Sequence, residues 1–140
     1  MTGRIVVGLD DSPAALAALR WAGRIGAAVD IAIAIDVIAC WQHPNVGSDD
    51  LPAPADVNDA ASRQMAAKSI DEAFGGVRPA GLRLLIRQGQ PQNVLTQASA
   101  EAEMLVVGSR GRGAFASAVL GSVSICCAGH ARCPVVVIHG

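Results

Sequence analysis

Tyrosine is absent from this 140-residue sequence, and tryptophan and phenylalanine occur twice each. Modules that grip nucleic acid by stacking its bases need aromatic platforms, so that class is disfavoured. An excess of one charge is lacking as well. Eleven Lys and Arg stand against 12 Asp and Glu, a net charge of −1, which supplies no steering field for a phosphate backbone. Long hydrophobic runs are also missing. The N-terminal apolar run Ile5–Val7 is interrupted by Gly8 and ended by Asp10 and Asp11, too short for a secretory signal. The longest uncharged stretch, Gly113–Gly129, is interrupted by glycine and serine and falls short of the ~20 apolar residues a membrane span requires. These absences predict a cytoplasmic protein with neither a nucleic-acid nor a membrane partner. The four cysteines, Cys40, Cys126, Cys127 and Cys133, form no C-x-x-C pair, which argues against a zinc knuckle or a thioredoxin-like site. They read as small buried hydrophobes, with a redox-sensing role as the alternative.

What is present is Ala, Val, Ile and Leu, which with the other apolar types make up 51% of the chain. That is enough for the core of one domain spanning residues 1–140. Arg4–Leu9 is apolar on both faces, as a strand buried within a parallel sheet must be. Ser12 followed by Pro13 is an N-cap with proline at the first helical position, and the Ala-rich helix it opens runs to about Ala28, with Trp21 in its apolar period. Ile35–Trp41 is a second strand; the IAIA before it fits a helix end or a strand. Gln42–Pro54 holds three prolines and is a loop. Asp56–Phe74 is an amphipathic helix with Met65, Ile70 and Ala73 inward, stopped by Gly75-Gly76. Leu82–Arg87 is a third strand. Pro91–Ala102 is a helix with Val94, Leu95 and Ala98 inward. Met104–Val107 is a fourth strand, and Val135–Ile138, opened by Pro134, is a fifth. Strands alternating with helices predict a parallel, doubly wound α/β sheet with helices on both faces.

In such sheets ligands sit beyond the carboxyl ends of the strands, where the strand order reverses. The first strand ends in Gly8-Leu9-Asp10. The fourth ends in Gly108-Ser109-Arg110-Gly111-Arg112-Gly113, and Gly121-Ser122-Val123-Ser124 follows. Glycines admit close approach of the backbone to a ligand, and successive N–H groups form a nest for an anion. A helix opening at Gly121-Ser122 adds free N–H groups and the positive end of its dipole, and Arg110 and Arg112 add charge-assisted contacts. The competing reading is a surface loop with solvated arginines. Neither the P-loop order G-x-x-x-x-G-K-[ST] nor the G-x-G-x-x-G order after the first strand is present.

Gly108-x2-Gly111-x9-Gly121-Ser122 resembles the nucleotide-binding signature of the universal stress proteins. The opening GRIVVGLDDSPAALAALRWA, the segment IACWQHP and the closing CPVVVIHG are similar to that family's first strand and helix, the end of its second strand and its last strand. The resemblance implies a five-stranded, Rossmann-like parallel sheet of order 3-2-1-4-5. It also implies a homodimer formed through the last strand, and ATP as ligand with Mg²⁺. Carried over by position, Gly8 and Asp10 lie near ribose and phosphates, and Asp10 helps hold the metal. Gly108, Ser109, Arg110, Gly111, Arg112 and Gly113 wrap ribose and phosphates, and Gly121, Ser122, Val123 and Ser124 meet the phosphates. Cys40 matches the residue whose backbone reads the adenine edge; counting from Asp10 without a gap puts Ile38 there instead. Asp11 departs from the family, which often has glycine at that place.

His43, His130 and His139 show no metal spacing. Asp10 serves as an orienting group or as an acid, and Trp41 flanks the nucleotide or caps the sheet. No general base or arginine finger is evident, so an ATP-binding stress-response module with at most slow hydrolysis is the leading reading, and no residue is assigned as catalytic. The alternatives are a member acting by dimerisation without nucleotide, and a nucleotide-dependent α/β enzyme.

Overall fold

The structure, a computed structural model, describes residues 2–29, 32–42, 55–110 and 120–140. Strands β1 (Thr2–Leu9), β2 (Ala32–Trp41), β3 (Leu82–Gln88), β4 (Met104–Gly108) and β5 (Val135–Ile138) form one parallel sheet of order β3-β2-β1-β4-β5. Four helices connect them: α1 (Pro13–Ala28), α2 (Ala55–Phe74), α3 (Pro91–Ala98) and α4 (Ser122–His130). The expected loop Gln42–Pro54 lies outside the described residues apart from Gln42.

Alternation along each strand divides the core in two. Ile5, Val7 and Leu9 of β1, with Ile35, Val37, Ala39 and Trp41 of β2, face α1 and α2 and meet Leu19 and Ile70. Val6 and Ile38 face the other way, toward Leu95 of α3 and Cys127 of α4, together with Leu105 and Val107 of β4. Both faces of β1 and β4 are covered, so these strands read as unbroken apolar runs. Trp21 is half-buried at the margin of the first core rather than inside it.

Local chemistry sets the element ends. The Ser12 hydroxyl accepts the Ala15 N–H at 3.2 Å and caps α1, with Pro13 at the first helical position. The IAIA segment is strand, because β2 pairs with β1 from Thr2↔Ala32 through Leu9↔Ala39. Helix α2 ends in a Schellman turn. Gly75 and Gly76 have φ of 63° and 87°, and the Gly76 N–H reaches back to the Asp71 carbonyl at 3.2 Å. The expected helix 91–102 stops sooner: α3 ends at Ala98 and tightens into a 3₁₀ turn, Ser99–Glu101. The reason is Ser99. Its hydroxyl, fully buried, donates to the Thr96 carbonyl at 2.6 Å and accepts the Arg132 N–H at 2.9 Å, tying this turn to the approach to β5.

Candidate functional site

The chain leaves β1 through α1 toward β2 and leaves the neighbouring β4 through α4 toward β5, in opposite directions, and a cleft opens between the carboxyl ends of these two strands. Four segments build this cleft. Gly8, Leu9 and Asp10 come from the end of β1, Ser12 and Ala15 from the start of α1, Val107, Gly108 and Arg110 from the end of β4, and Val123 and Ser124 from the first turn of α4. Ile38, Cys40, Pro91 and Leu95 close the floor. The cavity measures about 90 Å³, below the roughly 300–1,000 Å³ typical of small-molecule sites. The described residues thus enclose the apolar floor of a site rather than the whole volume of a nucleotide.

Two glycines of the floor answer to packing. A Cβ on Gly108 would stand 2.7 Å from the Ala14 carbonyl carbon and 2.8 Å from the Ala15 nitrogen, so only glycine lets the first turn of α1 cross the end of β4. A Cβ on Gly8 would meet Leu95 Cδ1 at 2.6 Å, and its absence makes room for that side chain under the cleft.

The first turn of α4 is pinned to the end of β4 by backbone and one hydroxyl. The Gly121 N–H donates to the Ser109 carbonyl at 2.6 Å, and the Ser109 N–H donates to Ile138 of β5 at 2.7 Å. Ser124 Oγ, itself buried, lies 2.9 Å from the Ser109 carbonyl and 3.0 Å from that of Gly121. A hydroxyl has one proton, so the Ser124 side chain is committed to this clamp, and its backbone N–H is what it can offer a ligand. Gly121 is the N-cap, no side chain caps this helix, and the first N–H to point back along it is that of Ile125, to Gly121 at 3.0 Å. Ser122, Val123 and Ser124 therefore present the orphan N–H groups of a helix start, with the positive end of its dipole behind them.

Asp10 sits opposite, at the mouth of β1. Its Oδ1 accepts the Ser12 N–H at 2.9 Å, which orients the carboxylate. Among the described residues no group of three His, Cys, Asp or Glu side chains comes together. A divalent ion here would lean on Asp10 and on a ligand's own oxygens. That donor set suits Mg²⁺, which keeps several waters and binds through one or two carboxylates plus phosphates. The Cys40 thiol is pushed up to about 11 by burial, which outweighs the opposing pull of the Arg87 cation. It lines the cleft as a neutral, weakly polar group and not as a nucleophile.

Of the residues expected at a site, Gly8, Asp10, Cys40, Gly108, Arg110, Val123 and Ser124 line this cleft. Ser109, Gly121 and Ser122 lie beside it in the clamp and helix start just described. Gly111, Arg112 and Gly113 are outside the described residues. Ile38 and Cys40 both face the cleft, as residues two apart on a strand must, so the aligned and the gapless counts from Asp10 reach one surface. Trp41 points to the other face. It is packed in the α1/α2 core, with its indole Nε1 hydrogen-bonded to Asp59 of α2, and so it caps the sheet. The sequence reading overlooked Pro91, Leu95 and Ala15. Their signal was present only as helix-period positions, which cannot show what lies above them.

The universal stress protein family model matches residues 1–139. A universal stress protein of Mycobacterium tuberculosis is 33% identical over 139 residues, covering 96% of this chain and 47% of its own length. The chain spans about half the length of the curated relatives it matches. Among solved structures, a universal stress protein in complex with cAMP has a TM-score of 0.71 at 24% identity, over 98% of this chain and 96% of that one. A family protein of Arabidopsis thaliana with AMP bound has a TM-score of 0.63 at 22% identity, over 98% and 91%. A family model spanning almost every residue, on a sheet of order β3-β2-β1-β4-β5 with its cleft at the reversal point, places the chain in the universal stress protein family.

Proposed function

We propose that the chain is an ATP-binding stress-response module that works in the cytoplasm as a homodimer, with Mg²⁺ accompanying the nucleotide and at most slow hydrolysis. The observation that carries this reading is the uncapped start of α4, whose Val123 and Ser124 line the same cleft as Asp10 and Arg110. In this reading the base rests on the apolar floor of Ile38, Cys40 and Leu95. The phosphates meet the N–H groups of Ser122, Val123 and Ser124, with Arg110 and the segment Gly111, Arg112 and Gly113 completing their surround. The family proteins solved with cAMP and with AMP support a nucleotide of the adenylate class. Binding rather than turnover is favoured because hydrolysis needs a positioned water and charge neutralisation in the transition state, and the cleft lining described above supplies one carboxylate and one arginine.

Isothermal calorimetry with ATP tests the reading. Ser122→Glu, at an exposed position of the helix start, puts a carboxylate beside the orphan N–H groups and is expected to weaken ATP by about tenfold or more, roughly 1.4 kcal/mol, at an unchanged melting temperature. Undiminished affinity in this variant would remove the α4 start from the site. For the metal, Asp10→Ala is compared in Mg²⁺ and in chelator. The lost bond to Ser12 is common to both conditions, so the difference reports the ion. A loss of about tenfold with Mg²⁺ and a small loss without it is expected; equal losses would sever Asp10 from the metal.

A further inference from the structure

The opposite end of the sheet holds a second concavity. Helices α1 and α2 lie side by side on one face and both end toward the amino ends of the strands. Between their final turns runs a groove of about 710 Å³, within the roughly 300–1,000 Å³ of small-molecule sites and much larger than the cleft at the carboxyl end. Ile33 of β2 and Phe74 of α2 line it above the buried Ile35, and on α1 Gly23 lets the Phe74 ring lie against the helix, where a Cβ would stand 2.5 Å from it. Val77, 79% exposed, is among its lining residues. This is apolar surface whose burial is favourable at roughly 25 cal/mol per Å².

The charges along it are of one sign. Arg20 and Arg24, one turn apart on α1, line the groove, and both are exposed. Neither makes an ion pair among the described residues. Arg78, from the far wall, is paired with Asp71 at 3.4 Å. Like charges at i and i+4 repel, and an anion between them relieves that repulsion. The ends of α1 and α2 carry the partial negative charge of their last carbonyls. An anionic head is thereby kept off the helix ends and drawn to Arg20 and Arg24, while an apolar tail covers Ile33, Phe74 and Val77. We propose that this groove binds a small amphiphilic carboxylate, of the medium-chain fatty acid class, with its head on Arg20 and Arg24 and its tail along the groove floor. This site is separate from the nucleotide cleft, and the proposal does not rest on nucleotide binding.

Decanoate, below its micellar concentration, is the probe, and backbone amide chemical shifts of the whole chain are the readout. The expected result is saturable one-to-one binding that moves Gly23, Ala27, Val77 and Ala80 and leaves Gly8 and Val107 in place. The double variant Arg20→Glu/Arg24→Glu should weaken decanoate at least tenfold while keeping the wild-type melting temperature and ATP response. Val77→Asp, at an exposed position that cannot compromise the fold, should weaken it as well. Decyltrimethylammonium, with the same tail and the opposite charge, should not saturate the groove. Shifts scattered over the surface, failure to saturate, equal affinity for the cationic amphiphile, or wild-type affinity in the double variant would each overturn the proposal.

Discussion

Two cysteines show how a residue's place in the sheet decides its chemistry. Burial pushes the thiols of Cys40 and Cys127 from an ordinary 9.0 up to about 11. Cys127 is raised further by its neighbours Cys126 and Cys133, and Cys133 is itself raised by burial and by Glu103. Both thiols are therefore poor nucleophiles at neutral pH; of the four cysteines expected as small buried hydrophobes, Cys127 is buried, whereas Cys40, Cys126 and Cys133 are only partly so. The linkage has a definite sign. The folded state holds these protons to about pH 11, whereas the unfolded chain releases them near 9.0. Their contribution to stability is present in full below pH 9 and is lost as pH rises toward 11. With no tyrosine and a single lysine in the sequence, few other side chains titrate in that window. Melting temperatures of the wild type should fall between pH 9 and 11, and Cys40→Ala/Cys127→Ala should flatten the fall. A slope unchanged in the double variant would show that these thiols ionise as freely in the folded protein as in the unfolded one.

Among the elements, β3 is held in register by a charge inside the sheet. Asp36, buried in the middle of β2, pairs across to Arg83, with Nε to Oδ1 at 3.1 Å and Nη2 to Oδ2 at 2.9 Å. Arg4 of β1 approaches the same carboxylate at 3.5 Å. The Asp36↔Arg83 register places the two side chains directly opposite on one face, where Arg83 is exposed while Leu85, two residues on, packs against the α3/α4 core. A one-residue slip would turn Arg83 into the α2 core and strand the carboxylate. The arginines at 83 and 87 also guard the β3 edge, since charged side chains discourage a second chain from pairing there. The other edge has no such guard. β5 is four apolar residues, each half-buried, with no charged side chain.

At the scale of the whole molecule that unguarded edge is where a second copy would add. The Leu105 N–H donates to the Pro134 carbonyl and the Ser109 N–H to that of Ile138, so the even-numbered residues of β5 are turned to β4. By alternation the backbone groups of Val135 and Val137 point outward. Val136 and Ile138 pack against the α1/α2 core, and Val135 and Val137 against the α3/α4 core. A charge on any of these side chains would damage the fold along with an interface. Val137→Pro instead removes one outward N–H and leaves the β4 ladder intact. If the dimer forms through this edge, the variant should be monomeric in light scattering at tens of micromolar where the wild type is dimeric, with its melting temperature lowered only as far as dissociation requires. A wild type that is monomeric under those conditions, or a variant that stays dimeric, would place the interface elsewhere or nowhere.

Strand runs such as Arg4–Leu9 and Val135–Ile138, the Ser12-Pro13 cap and the Gly75-Gly76 stop were legible because each is a local matter of periodicity, a side-chain cap or a positive φ. Strand order was not legible from periodicity, since every buried parallel strand looks alike; it came from the family resemblance, and the sheet bears it out. What the sequence determined by itself is therefore the alternation of elements and the chemistry gathered at the ends of β1 and β4. The tertiary structure alone decided which groups of that chemistry remain available. Gly108 is required by the first turn of α1, the Ser124 hydroxyl is taken by the Ser109 and Gly121 carbonyls, and Trp41 is turned to the opposite face from Cys40. The contact of Gly108 with α1, the bond of Ser124 to Ser109 and the side of the sheet to which Trp41 is turned depend on contacts between residues far apart in the chain, which no local pattern encodes. The groove of Arg20 and Arg24 is of the same kind: it exists only because two helices, more than twenty residues apart along the chain, end side by side.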